Sequence, residues 1–260
     1  MIFFDNLPHD ISFSWIKIAG VGAAGTNALS YCKNVDKNNF FFETLAVTDA
    51  ATEIPNFKAF WLFMIADIDD LELAAQVVER VKDSRTLITS LILCPAADDA
   101  RLADIPESFG TWIILPKDKI AATGLTPDEL IYQVIDKLTC IVSFNCLIGL
   151  DFADIVATLK NRGRACIGFA EENNSLAAVK NALKSPLFIE DIRRAKKFLL
   201  VFVGNLESFS MLEANEASNF LYERFKPNPE DICNFFWQVV SDEAANYSSM
   251  AFVLATDFDN

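Results

Sequence analysis

The sequence predicts an α/β protein, with a mostly parallel sheet covered by helices on both faces and then a smaller α+β part with a mixed sheet. Three observations predict it. Short β-type runs alternate with amphipathic stretches through the first half, a glycine-rich turn joins the first run directly to a helix pattern, and two β-type runs stand side by side near the C-terminal end.

In order, the first half reads strand WIKIA (15–19), helix 23–33, strand FFFETLAVT (40–48), strand FWLFMIA (60–66), helix 70–82, and strands TLITSLILC (86–94) and TWIILP (111–116). The clearest helix follows. Thr126, Pro127 and Glu129 form an N-cap, first-turn proline and capping-box set, and Ile131, Val134, Ile135, Leu138, Ile141 and Val142 then recur at helical spacing. Beyond it come helix 151–160, strand 164–170, helix 173–184, strand 198–204, helix 213–225, and strands 232–240 and 249–256, which point to a mixed sheet in a second domain.

Composition narrows the function classes. At 260 residues and 52% hydrophobic, with 23 Phe, the chain can bury a sizeable core in one large or two associated domains. Its apolar runs, such as AFWLFMIA and FLLVFVGNL, fall short of the roughly 20 residues that span a bilayer, and read as buried strands. The N-terminus MIFFDNLPHD lacks a basic start and a cleavage pattern, so a cytoplasmic protein without direct membrane insertion is expected. A net charge of −14 argues against nucleic acid as a partner, because that affinity is built on Lys and Arg contacts to phosphate. The basic cluster Arg193, Arg194, Lys196 and Lys197 reads as a solvated turn.

Cys32, Cys94, Cys140, Cys146, Cys166 and Cys233 form no C-x-x-C pair, and most of them read as buried thiols. His9 is the only histidine, which leaves little material for a Ser-His-Asp or Cys-His mechanism and predicts no metal centre.

WIKIA runs into Gly20-Val21-Gly22-Ala23-Ala24-Gly25-Thr26-Asn27-Ala28 and then a helix, a G-x-G-x-x-G match in a strand-turn-helix context that can hold phosphate on backbone N–H groups. The next strand ends at Asp49, about where a dinucleotide-binding fold places its ribose carboxylate, so an NAD-dependent oxidoreductase is one reading. The same glycines equally serve a tight turn and close helix packing.

Further segments resemble FtsZ and the FtsZ/tubulin family. Gly149-Leu150-Asp151-Phe152-Ala153-Asp154 resembles the catalytic loop NLDFAD, GVGAAGTNA the loop GVGGGGGNA, LAVTDA (45–50) the second strand and ribose-side loop, and LPKDKI (115–120) the segment IPNDKL. RACIGFA, LKSPLF (183–188), KFLLVFVGNLE and MAFVLATDF follow in family order.

The resemblance, which covers nearly the whole chain, implies a nucleotide-binding-like α/β domain over 12–125, a central helix over 126–148 and a C-terminal α+β domain over 149–258. It implies GTP or GDP as the ligand if any, held by Gly20, Gly22, Ala23, Ala24, Gly25, Asn27, Asp49 and Asp128, with Asp99, after Pro95, as the candidate for the family's ribose-side acid. It implies Asp151 and Asp154 as the pair that acts on the γ-phosphate of the next subunit in a filament. In the absence of a ligand, the same two acids read as favourable charges in the first turn of a helix.

The sequence departs from the family where phosphate is held. The glycine-rich loop expected after FWLFMIA is replaced by residues 66–75, which contain no glycine and carry Asp67, Asp69, Asp70 and Glu72. The loop after Asp49 shortens to AATEIPNFK, Gly149 and Lys117 stand where the family has asparagines, and Asp128 stands where it has the guanine-recognising asparagine. The chain ends at Asn260 without a counterpart of the tail that reaches membrane-anchoring partners. The expectation is therefore an FtsZ-like cytoskeletal or cell-division assembly protein that forms homo-oligomers or binds an FtsZ-like partner, with weak or lost GTP binding and vestigial catalytic acids. A working filament-forming GTPase is the alternative.

Overall fold

The computed structural model describes residues 16–35, 43–54, 59–83, 85–140, 146–148, 150–205, 209–225, 235–242 and 248–258. Among them, strands β1 (Ile16–Val21), β2 (Glu43–Val47), β3 (Trp61–Asp67), β4 (Leu87–Cys94) and β5 (Thr111–Pro116) alternate with helices α1 (Gly22–Val35), α2 (Leu71–Val81) and the short α3 (Lys117–Ala121). The helix α4 (Pro127–Thr139) follows, then β6 (Cys146–Ile148), α5 (Phe152–Leu159), β7 (Gly163–Glu172), α6 (Ser175–Ala182), β8 (Ala195–Gly204), α7 (Met211–Phe225), β9 (Phe235–Ser241) and β10 (Ser249–Phe258).

The strands form one mixed sheet of order β2-β1-β3-β4-β5-β7-β10-β8-β9-β6. β2, β1, β3, β4, β5 and the start of β7 are mutually parallel, whereas β10 runs antiparallel to both β7 and β8, and β6 antiparallel to β9. The joint between the halves is short. β5 and β7 pair only from Thr111↔Gly163 to Ile113↔Ala165, and the Thr111 hydroxyl secures it by donating to the Leu159 carbonyl and accepting from the Arg162 N–H at 3.0 Å.

One face of the sheet carries a continuous core in which α1, α4 and α5 pack across both halves through residues such as Leu29, Ile131, Leu138 and Ile155. The opposite face has two separate cores. One lies under α2 around Ala74, Val77 and Val78, and the other under α6 and α7 around Val179, Ala214 and Leu221. β3 is buried at every position because both faces are covered, which explains its unbroken apolar run.

The capping box at α4 forms as expected: the Thr126 hydroxyl accepts from the Glu129 N–H at 3.3 Å, and the Glu129 carboxylate accepts from the Thr126 N–H at 2.8 Å. The end of this helix differs from the expected 126–148. The described helix stops at Thr139, Ile141 and Val142 lie outside the described residues, and Cys146–Ile148 form an edge strand opposite Val239 and Val240. A short apolar run satisfies either period, and here pairing with a neighbouring strand decides. Cys32, Cys94, Cys140 and Cys166 are buried thiols, as their scatter predicts. His9, Gly149 and Cys233 lie outside the described residues.

Candidate functional site

In a parallel sheet every strand ends on the same edge, so the segments after β1 to β5 gather there. The chain passes from β1 outward to β2 and returns on the other side of β1 to β3, which makes the ends of β1 and β3 flank a topological switch point, the usual crevice for a ligand. The glycine loop closes one side of this crevice. Residues Asp67 to Asp70 close the other.

On the first side, Gly25 is dictated by packing, since a Cβ there would lie 2.4 Å from the Ile65 carbonyl oxygen of β3. Gly22 has φ of +68°, and a Cβ on it would lie 1.8 Å from Oδ2 of Asp70. The Thr26 hydroxyl turns back to the Gly22 carbonyl, while Ala23 and Asn27 are exposed and Ala24 is half-buried along the first turns of α1. The close-packing reading of the glycines therefore holds for Gly20 and Gly25, whose backbones touch.

On the second side, Asp67 caps a 3-10 turn over Ile68–Asp70, its Oδ1 accepting from the Asp69 N–H at 3.2 Å. Its other oxygen lies 2.5 Å from Lys117 Nζ, and its side chain is only 10% exposed. Asp69 pairs with the Arg101 guanidinium, which also holds Asp99 at 2.7 Å. Hydrogen bonds from Arg101 keep the Asp99 carboxyl below its ordinary value and in turn raise the guanidinium.

Asp70 is different. It is the N-cap residue of α2, yet its side chain makes no capping hydrogen bond, and neither a hydrogen bond nor an ion pair holds it among the described residues. Burial, then the charges of Asp67 and Asp69, push its carboxyl above the usual range. Cys94, at the end of β4, is raised to about 11 by burial and then by Asp99, Asp118 and Asp67, so its thiol stays protonated at neutral pH.

The remaining expected residues lie apart from this crevice or engage their own turns. Asp49 closes its own loop, with Oδ1 accepting from the Ala51 N–H at 2.9 Å. Asp99 caps the turn Ala100–Asp104 as well as pairing with Arg101. Asp128 sits half-buried in the first turn of α4, its carboxyl raised by burial and then by Glu129. α4 runs beside α1, where the Tyr31 and Tyr132 rings meet edge to face at 6.2 Å. No three His, Cys, Asp or Glu side chains converge as metal ligands among the described residues.

Asp151 and Asp154 form a reciprocal capping box at the start of α5. Asp151 Oδ1 accepts from the Asp154 N–H at 2.9 Å and Asp154 Oδ2 from the Asp151 N–H at 3.1 Å. Burial comes first among the causes that raise the Asp154 carboxyl. Phe152 beside them meets the ring of Trp61 at 6.1 Å, and Trp61 is the first residue of β3. The glycine loop lies at the other end of that strand, about 20 Å away for seven residues at a strand's rise. Within one chain the two halves of the expected site are on opposite edges of the sheet.

The comparisons with known proteins bear on this arrangement. No family model matches the chain. A cell division protein FtsZ 2 from Thermococcus kodakarensis is 30% identical over 146 residues, which is 55% of this chain and 34% of that protein. By this match the chain is similar to the FtsZ family. The match covers about a third of the length of that curated relative. Among solved structures, an FtsZ from M. jannaschii superposes with a TM-score of 0.73 at 19% identity, covering 94% of this chain and 91% of that one. A CetZ2 from Haloferax volcanii, solved as a GTPγS-bound protofilament, gives 0.68 at 13% identity, covering 94% and 93%. At these identities the structural likeness is one of fold, and it agrees with the expected FtsZ/tubulin-like architecture.

Proposed function

We propose that the chain is an FtsZ-like cytoskeletal assembly protein that acts by self-association, with weak or no GTP binding and turnover. The observation that carries it is the occupation of the switch-point crevice by the chain's own charged groups. Lys117 and Arg101 are engaged by Asp67 and Asp69, and Asp70 stands against Gly22. A nucleotide phosphate fits poorly there. Residues 66–75 contain no glycine to let backbone amides approach it, and two like charges about 4 Å apart near a surface repel by on the order of 4 kcal/mol.

Self-association is supported by the separation of Asp151 and Asp154 from the glycine loop, since only another copy, stacked edge to edge along the strand direction, could bring the two together. In this reading residues 12–125 are the nucleotide-binding-like domain, 126–148 the connecting segment that contains α4, and 149–258 the C-terminal domain. The relative's role in cell division is carried to this chain on the same footing.

Sedimentation velocity at several protein concentrations, alone and with GTP, GDP or NAD, tests the proposal. Association that grows with concentration and is indifferent to nucleotide is the expected result. Assembly that requires GTP, accompanied by phosphate release, would overturn it in favour of a working GTPase. A chain that stays monomeric at every concentration would remove the assembly role.

A further inference from the structure

We propose that the C-terminal end of α5 is a latch that fixes the two halves of the sheet in one relative arrangement, so that the chain presents the same edges to another copy with or without a ligand. The link to assembly rests on the reading that the chain self-associates without nucleotide.

Elsewhere the seam between the halves is narrow. β5 and β7 pair over three residues, extended by the Gly163 N–H, which donates to the Gly110 carbonyl at 3.2 Å, and on one face the apolar cores of the two halves are separate. The core on the other face is continuous, but apolar contact is non-directional and lets packed layers slide. Hydrogen bonds are what hold an orientation.

α5 lies on this seam, against β4 of the first half and β8 of the second. A helix leaves its last four carbonyls without partners of its own, and in α5 all four are taken. Val156 accepts from the Lys160 N–H at 2.9 Å and Ala157 from Arg162 Nη2 at 2.9 Å. Thr158 accepts from the Thr256 hydroxyl of β10 at 3.0 Å, and Leu159 from the Thr111 hydroxyl of β5. Adjacent carbonyls of one helix turn are thus held by opposite halves. Arg162 closes the ring: its N–H donates to the Thr111 hydroxyl at 3.0 Å, and its Nη1 lies 3.4 Å from Oδ2 of Asp257, the residue after Thr256.

Thr111, Thr158, Leu159 and Thr256 are fully buried, so no water replaces a broken bond, and movement of one half against the other would strand a buried carbonyl. The other end of the same helix carries Asp151 and Asp154. The latch therefore also sets where that edge of the molecule stands relative to the crevice edge.

The test is hydrogen exchange read by mass spectrometry, together with sedimentation velocity, on the ligand-free parent, T111V, T256V, T111V/T256V and the control T139V. Thr139 is equally buried and donates to the Ile135 carbonyl at 2.8 Å within α4, so T139V removes a buried hydroxyl bond that joins no two halves. In the double variant the amides of α5 and of the β5–β7 seam should exchange about tenfold faster or more, while those of β3 and β8 stay within about threefold of the parent. Self-association should weaken by about fivefold or more in the double variant and hold in T139V, because a loosened seam must be ordered again on binding. An unchanged seam, uniform acceleration across the whole sheet, or equal loosening in T139V would each overturn the latch. A loosened seam with undiminished association would overturn its link to assembly. A parent that stays monomeric while the seam loosens as expected would overturn the self-association reading and support the latch. Should the double variant fail to fold, T111V and T256V each give the answer alone.

Discussion

Lys117 Nζ lies 2.5 Å from Asp67 Oδ2, tying the start of α3, which follows β5, to the end of β3. The partners are unequally exposed, at 46% for the lysine side chain and 10% for the aspartate, so the pair matters mainly to Asp67. Removing the lysine leaves a desolvated carboxylate with one backbone N–H donor.

K117M is therefore expected to destabilise the chain by about 1–3 kcal/mol, the cost of leaving a buried polar group short of a partner. D67N combined with K117M should recover part of that loss, because the orphaned charge is then gone. Urea unfolding of the parent, both single variants and the double variant reads the coupling. Additive losses would mean that the pair contributes nothing.

Gly25 carries a purely steric expectation. A Cβ at that position meets the Ile65 carbonyl oxygen at 2.4 Å and the Gly20 backbone at 3.0 Å, and neither can move without shifting β1, β3 or α1. G25A should cost roughly 1–3 kcal/mol or more, as overpacking of a close-fitted core does. The loss should be the same with and without GTP. Thermal melts of both samples check this, and an unchanged melting temperature in G25A would show that the contact is loose.

Asp70 sets a pH dependence of definite sign. Its carboxyl is raised above the usual value by burial and by Asp67 and Asp69, so the folded state prefers the neutral form. The stability linked to it is fully present below the ordinary carboxylate value of about 3.9 and is lost as pH rises through the raised value. D70N mimics the neutral form. It should melt above the parent at neutral pH, and the gap should close in acid. A gap that is flat with pH would mean that Asp70 titrates as it does in the unfolded chain.

Much of the fold was legible because its signals are local. Thr126, Pro127 and Glu129 announce α4 within four residues, and the glycine loop announces the turn from β1 into α1. The strand at Cys146–Ile148 was not legible, because its partner is Val239 and Val240 and three residues carry no period of their own. The same distinction holds at the crevice. Four acids after β3 could be read as hostile to phosphate, yet their neutralisation depends on Arg101, 32 residues from Asp69, and Lys117, 50 residues from Asp67. Which acid remains uncompensated is a property of those long-range pairs. The sequence singles out none of the four.

Asp151 and Asp154 give the sharpest test of the proposal that GTP turnover is weak or lost. Each carboxylate accepts from the other's backbone N–H, so both already serve as the cap of α5. Catalytic carboxylates gain their value by holding water against a bound phosphate, and on the proposed function a phosphate is what the crevice of a neighbouring copy fits poorly. D151A should therefore cost about 0.5–2 kcal/mol of stability, the range for loss of an N-cap side chain. D154A should cost less, since it removes the reciprocal partner and leaves the cap itself. Either variant should leave any phosphate release within about twofold of the parent, far less than the roughly 10²–10³ change that loss of a transition-state contact produces. Phosphate release measured at several protein concentrations decides between the two roles. A parent rate that climbs with concentration and collapses in both variants would mean that two copies do complete a working site, with the capping hydrogen bonds released when they meet.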